Sequence, residues 1–472
     1  MKKSLKYILP VLALFCLALV LSSNGCKREA EARKPNIVYI LADDMGYGDL
    51  GCYGQQKIKT PHIDRLAAEG VRFTQHYAGS TVCAPSRDVL MTGLHTGNSY
   101  IRGNFAYHTE GNLPIPDESV TVAELLKNNG YTTGVIGKWG LGGPKSSGGP
   151  NNQGFDFSFC YLDQREAHEY YPTHLWKNEE KFPLPQNQNG QEGTYSHDLF
   201  TAEALKFIKD HKADPFFLYL PYTIPHGKFQ VPDDAPYSGE DWKPEQKNYA
   251  AMITRMDRDV GSIMELLREL GLDDNTLVIF TSDNGGVRSM SGHFQCNGPL
   301  RGYKQDLYEG GIRVPFIAHW PGKIQPGTVS DHVSAFWDFL PTACELAGVT
   351  PPPSIDGISY LPTLLGKKQL THDFLYWEYY TDNSRYKPGD KKPRTVFDQQ
   401  ALRMGDWKAV RRNLYTEPEA DFELYDLRKD IGETSNVAAQ HPEVIQKIQH
   451  YVKQNRREAP YFSSTVTNTQ TP

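Results

Sequence analysis

The chain is 472 residues long, 39% hydrophobic and 22% charged, with a formal net charge of −6. A single core rarely grows past about 250–300 residues, so a large domain with a smaller companion is expected. The mildly acidic balance argues against a dedicated nucleic-acid binder, which is normally basic.

Lys2, Lys3 and Lys6 precede an apolar run from Tyr7 to Leu21, then Ser22-Ser23-Asn24-Gly25 leads to Cys26. A charged start, a short apolar stretch and a small-residue exit describe a secretory signal. The run is shorter than the ~20 residues that span a bilayer comfortably. Gly25-Cys26 also resembles the end of a bacterial lipobox, whose Cys carries lipid, although Ser23 stands where that motif usually has Leu or Val. Residues 1–26 are therefore expected to direct export, to the periplasm or, with a lipidated Cys26, to the outer membrane or cell surface. That lipid would be the chain's one link to a membrane. Cys16 leaves with the signal. Cys52, Cys160, Cys296 and Cys344 either pair in an oxidising compartment or stay as buried thiols.

Asn36 to Ala42 is a continuous apolar run of the kind found in strands buried on both faces. Helix and strand patterns then alternate. Ile63 to Glu69 reads as a helix stopped by Gly70, and Val71 to Tyr77 as a strand. Val120 to Asn129 reads as a helix and Tyr131 to Ile136 as a strand; Leu199 to Lys209 and Phe216 to Leu220 repeat the pair. Glu245 to Leu270 is a long helix closed by Gly271, ahead of a buried strand from Thr276 to Thr281. Such alternation predicts an α/β fold with a large, mainly parallel sheet between helices. Beyond Pro351-Pro352-Pro353 the pattern changes. Phe374 to Tyr380, Ala401 to Met404, Trp407 to Val410 and Glu423 to Tyr425 read as short antiparallel strands before a helix from Pro442 to Gln454. The expected division is a leader over 1–26, a large α/β domain over 35–366, a smaller α+β subdomain over 371–460 and a tail over 461–472.

Acidic and amide oxygens follow two of the buried strands, Asp43-Asp44 and Asp283-Asn284. Open α/β sheets gather ligands at the carboxyl ends of their strands. Carboxylates brought together there call for a hard cation, and oxygen donors favour calcium or magnesium over zinc. Taken singly, each pair is equally a turn or a cap; two at matching strand ends point to a metal. Cys83-Ala84-Pro85-Ser86-Arg87 opens a short helical stretch ending at Gly93, with Pro85 suited to a first turn. A helix N-terminus and a nearby Arg87 both lower a thiol pKa, so Cys83 is expected to be either reactive or a structural thiol.

Cys83-Ala84-Pro85-Ser86-Arg87 followed by Leu90-Met91-Thr92-Gly93 resembles the signature of the formylglycine-dependent sulfatases of the alkaline phosphatase superfamily. Gly137-Lys138-Trp139 is similar to the family's second signature, Pro225-His226 to its leaving-group histidine segment, and Lys304 ahead of Glu309-Gly310-Gly311 to its sulfate-binding lysine. The resemblance runs from Pro35 to about Gly366. It implies that a maturation enzyme oxidises Cys83 to formylglycine, and that Asp43, Asp44, Asp283, Asn284 and the converted Cys83 hold Ca2+. It also implies that Arg87, Lys138 and Lys304 surround the sulfuryl oxygens, and that His226 protonates the leaving alcohol. One departure stands out: many members carry a histidine that hydrogen-bonds the formylglycine hydroxyl where this chain has Gly140. His168 and His174 are candidate replacements.

The loop from Tyr161 to Trp176 carries Gln164, Arg165, His168 and His174, and His293 and Arg301 lie just before Lys304. These are the candidate substrate contacts, of which most are expected to hold the loops in place. The resemblance implies a sulfated sugar as substrate, with galactose or N-acetylgalactosamine 4-sulfate expected. The alternatives are a phosphomonoester or phosphonate hydrolase of the same superfamily, or a sulfated-glycan-binding protein that lost catalysis through Gly140.

Overall fold

The first strand, β1 (Asn36–Ala42), is buried at every residue. Its side chains alternate between two cores, as the period-two geometry of a strand requires. Ile37, Tyr39 and Leu41 enter one core and Val38, Ile40 and Ala42 the other. A strand with no polar face can lie only in the middle of a three-layer sandwich, and there β1 sits. The structure, a computed structural model, describes residues 33–105, 110–382 and 395–462. The expected leader and most of the expected tail lie outside those residues.

The remaining strands of the large sheet are β2 (Val71–Tyr77), β3 (Thr132–Lys138), β4 (Phe157–Tyr161), β5 (His174–Lys177), β6 (Glu180–Pro183), β7 (Phe216–Pro221), β8 (Thr276–Ser282), β9 (Arg313–His319), β10 (Thr328–Ser330) and β11 (Ser334–Ala335). Their spatial order is β10-β2-β9-β8-β1-β7-β3-β4-β5-β6, with β11 beside β2. The block β8-β1-β7-β3-β4 is parallel throughout, while β9 runs antiparallel to both β2 and β8. This is an alkaline phosphatase-like α/β architecture, a mixed and mainly parallel sheet flanked by helices. Among these, Pro61–Glu69 and Pro244–Glu269 cover one face.

A second, antiparallel sheet follows, ordered β12 (Leu375–Asp382), β13 (Thr395–Met404), β14 (Trp407–Arg411) and β15 (Glu423–Asp426). The helix Pro442–Gln454 packs Ile448 and Val452 against it. Glu309 staples the two sheets. Its buried carboxylate accepts from Lys408 of β14 at 3.0 Å and from Arg313 of β9 at 3.2 Å. Cys52, Cys83, Cys160, Cys296 and Cys344 are all free thiols.

Candidate active site

Because β8, β1, β7 and β3 are parallel neighbours, their carboxyl ends open on one edge, and the chain leaving each end delivers polar side chains to a common point. Asp43 and Asp44 leave β1, Asp283 and Asn284 leave β8, His226 follows β7, and Lys138 is the last residue of β3. The Asp43 N–H donates to Ile224 O at 3.1 Å and the Asp283 N–H to Ala42 O at 3.0 Å, locking the three exits side by side. Consecutive residues of an extended chain point to opposite sides. Asp44 escapes that rule by adopting the left-handed conformation, φ 68°, which Asp tolerates better than most residues. Gly285 permits a close approach at this edge. A Cβ there would lie 1.9 Å from Gly310 O, and its N–H donates to Gly311 O at 2.9 Å.

Cys83 starts a helix, Cys83–Thr92, buried along its whole length and ended by Gly93 in the left-handed region. Asn104 Oδ1 accepts the first-turn Ala84 N–H at 3.0 Å. The Cys83 Sγ lies 3.3 Å from Asp43 Oδ1 and 3.8 Å from Lys304 Nζ. Each carboxylate has its own cation: Lys138 Nζ donates to Asp43 at 2.7 Å, Lys304 Nζ to Asp44 at 2.8 Å, and Arg87 Nη2 to Asp283 at 2.8 Å. Arg87 also donates from Nη1 to Lys138 O at 2.5 Å, which ties the nucleophile helix to the end of β3. His226 donates from Nδ1 to Gly227 O, so its Nε2 is left to accept from Lys304 Nζ at 2.9 Å.

Of the two readings open for Cys83, an acidified thiol and a structural one, the first does not hold for the unconverted thiol. Burial, with the Asp43 carboxylate next in weight, pushes the thiol well above its usual range. The guanidinium that was to lower it is spent on Asp283 and Lys138. Burial also opposes ionisation of Asp43, but Lys138, His226, Arg87 and Lys304 together hold it below the usual carboxylate range. Asp283 goes the other way, to about 6, because burial and then the neighbouring Asp43 charge outweigh Arg87. Burial pulls His226 down to about 4 against the attraction of Asp44.

These residues fit a hard divalent cation. Single ligand atoms of Asp43, Asp44, Cys83 and His226 all lie within 4.8 Å of one another, and the Asp44 N–H reaches Asp283 Oδ1 at 3.2 Å. Asn284 Nδ2 donates to Asp44 at 2.8 Å, while its Oδ1 is buried without a hydrogen-bond partner. A buried carbonyl oxygen with no donor beside clustered carboxylates is what an oxygen-coordinated ion satisfies.

The candidate substrate loops divide. His168 comes to the site and stacks on His226, ring centroids 4.0 Å apart and planes 13° from parallel. Gln164 packs against Gly140. Arg165 folds back on Asp163, and His174 sits 3.8 Å from Glu110. His293 packs on Trp242 and Phe294, and Arg301 donates to Tyr425 and to Glu433 O while lying over Tyr308. Neither His293 nor Arg301 lines the cleft above Asp44, His226 and Lys304. That cleft, about 670 Å³, is walled instead by Phe229, Arg288, Asp306 and, from the second sheet, Tyr379, Thr381 and Asp398. Contributions from so distant a segment carry no local sequence signal.

The fold and the cationic, carboxylate-lined cup around Cys83 define a hydrolase built to neutralise an anionic ester. Residues 35–349 match the Sulfatase family, and 303–458 match the family described as N-sulphoglucosamine sulphohydrolase, C-terminal. The chain belongs to the Sulfatase family and is a sulfuric ester hydrolase. It is 32% identical to the N-acetylgalactosamine-6-O-sulfatase of Bacteroides thetaiotaomicron over 94% of this chain and 98% of that protein. It is 35% identical to human arylsulfatase A over 89% of this chain and 87% of that protein. The crystal structure of Ps i-CgsB in complex with k-i-k-neocarrahexaose superimposes with a TM-score of 0.76 at 29% identity, covering 91% of this chain and 95% of that one.

Proposed function

We propose that this sulfatase removes a sulfate ester from a galactose-type sugar, with Cys83 converted to formylglycine and Ca2+ held by Asp43, Asp44, Asp283 and Asn284. The observation that carries the reading is the cup itself, where Lys138, Lys304 and Arg87 converge with buried carboxylates around one cysteine. An anionic ester approaches a nucleophile only where its charge is met in advance. When bound, calcium adds the positive charge that polarises the sulfuryl group. Lys138 and Lys304 stand ready to leave Asp43 and Asp44 for the sulfuryl oxygens, while Arg87 fixes Asp283 and the end of β3. A neutral thiol held above its usual range is a poor nucleophile, which agrees with a group that must be oxidised before it acts.

His226 is the group placed to serve the leaving alcohol. Its Nε2 accepts from Lys304 Nζ at 2.9 Å, so it acts as the general acid once Lys304 turns to the sulfuryl oxygens and the imidazole takes up a proton of its own beside the anionic ester. For the sugar, the names of the relatives favour N-acetylgalactosamine 6-sulfate over the 4-sulfate expected from sequence. The apolar run after Lys2, Lys3 and Lys6 supports export, which suits a polymeric sulfated substrate. Sulfate release from N-acetylgalactosamine 6-sulfate and 4-sulfate, and phosphate release from the matching phosphate ester, test the reading. We expect kcat/KM for the 6-sulfate to exceed that for the 4-sulfate by at least ~10-fold. A preference for the 4-sulfate would overturn the position, and a preference for phosphate the reaction.

A further inference from the structure

The family resemblance implies a hydrogen-bonding side chain at the position Gly140 occupies, and the fold brings Gln164 against that glycine. Strands β3 and β4 are parallel neighbours with Lys138 opposite Tyr161, so the chains leaving them run out over the same edge. Gly140 lies just beyond Lys138, and Gln164 just beyond Tyr161. A Cβ built on Gly140, whose φ is 79°, would lie 1.9 Å from Gln164 Nε2 and 2.8 Å from its Cδ. The glutamine amide therefore fills the volume a side chain at 140 would enter.

That amide is buried, with the residue 4% exposed, and neither its Nε2 nor its Oε1 has a hydrogen-bond partner. A structural filler at such a point is better served by an apolar side chain, because an unpaired buried amide opposes folding. The backbone beneath it is held firmly. The Gln164 N–H donates to Asn112 Oδ1 at 2.8 Å, and Asp163 accepts from the N–H groups of Gly111 and Arg165 at 3.0 and 2.6 Å. The same turn carries His168 onto His226, while Lys138, two residues before Gly140, reaches Asp43, which touches Cys83.

We propose that Gln164 takes over the task left open at Gly140, its free amide holding the oxygens that gather on the converted Cys83 side chain. Oε1 accepts from a hydroxyl and Nε2 donates to a sulfuryl oxygen. An amide does not titrate near neutral pH, so Gln164 orients these groups without taking a proton from them. This rests on the formylglycine reading, and the mass of the Cys83 peptide is measured first on every variant.

The test compares Gln164→Met, which keeps the volume and loses the hydrogen bonds, with the native chain and with Gly140→His in native and Gln164→Ala backgrounds. With Cys83 converted, Gln164→Met is expected to lower kcat on an aryl sulfate by about 10²-fold, to change KM less than about 3-fold, and to leave the thermal midpoint unchanged or raised. Gly140→His alone should lower the midpoint through its collision with Gln164. Adding Gln164→Ala should recover part of that loss and give the rate a new pH limb near an ordinary histidine pKa, about 6.5. A Gln164→Met enzyme with native kcat and a lowered midpoint would reduce Gln164 to packing and overturn the proposal. Recovery of only thiol at Cys83 in the native chain would overturn the formylglycine reading, and this proposal with it.

Discussion

Replacing Arg87 with Leu removes a side chain that is fully buried and makes hydrogen bonds from Nε and Nη2 to Asp283 and from Nη1 to Lys138 O. The carboxylate of Asp283 is then left in a dry site beside Asp43. Breaking one side of a buried ion pair costs about 3–5 kcal/mol. The cost depends on pH in a definite direction. Burial and the Asp43 charge push Asp283 up to about 6 in the fold, above the ordinary aspartate value of about 3.9, a raised carboxyl whose burden on the fold is absent below the lower figure and complete above the higher. Losing Arg87 raises it further, so the carboxyl evades the penalty by protonating in acid. Urea unfolding with a chelator present should therefore show a loss of about 3–5 kcal/mol at about pH 8, shrinking to about 2 kcal/mol at about pH 5, where the lost hydrogen bonds remain. Adding Asp283→Asn removes the stranded charge and should return part of the pH 8 loss. A single variant that loses less than about 1 kcal/mol at pH 8, or a double variant no more stable than the single, would show that Arg87 does not neutralise Asp283 in this way.

Calcium should raise the thermal midpoint more at about pH 7.5 than at about pH 5, because protons on Asp283, at about 6, compete with the ion; equal increments would remove Asp283 from the ion's ligands. His226→Ala should slow a sugar sulfate by about 10-fold or more beyond its effect on an activated aryl sulfate, which needs less protonation of its leaving group; equal losses in steady-state kcat/KM would remove the general-acid role. Cys83→Ser should abolish multiple turnover while circular dichroism and the unfolding midpoint stay near native. Native turnover in that variant would dispose of the nucleophile assignment.

How far the sequence spoke can be judged residue by residue. β1 and the helix Pro442–Gln454 stand where hydrophobic runs and caps put them, because a strand buried on both faces and an amphipathic helix leave strong periodic signals. β9 is not apparent in the sequence, since Pro315 within it argues against a central strand. The structure resolves the conflict with a register shift in β2 between Phe73 and His76, opposite the proline, and Pro315 keeps its carbonyl as an acceptor for Thr281 Oγ1 at 2.7 Å. The hairpin β5–β6 escapes notice for a simpler reason: every residue of Glu180–Pro183 is exposed, so no alternation marks it.

The site was legible where a strand end announces it. Asp43, Asp44, Asp283 and Asn284 converge as matching strand exits must, whereas Lys138 was marked only by the resemblance of Gly137-Lys138-Trp139 to a family signature. Of the two readings open for Cys83, an acidified thiol and a structural one, the sequence could not choose, because burial and Asp43 are tertiary facts, invisible in the order of residues around a helix start. The pairing of Gln164 with Gly140 depends on β4 lying beside β3, and the cleft wall from Tyr379, Thr381 and Asp398 depends on the second sheet. Such neighbourhoods arise from topology, which no local pattern encodes.

In the proposed reaction the buried thiol among these cations is the precursor of the working group. Intact-mass and peptide-mass analysis of chain matured alongside a formylglycine-generating enzyme reads it directly. The peptide containing Cys83 is expected to have lost its sulfur and to carry a carbonyl that hydrazines label, in proportion to specific activity. An active preparation whose Cys83 remains entirely thiol would contradict it.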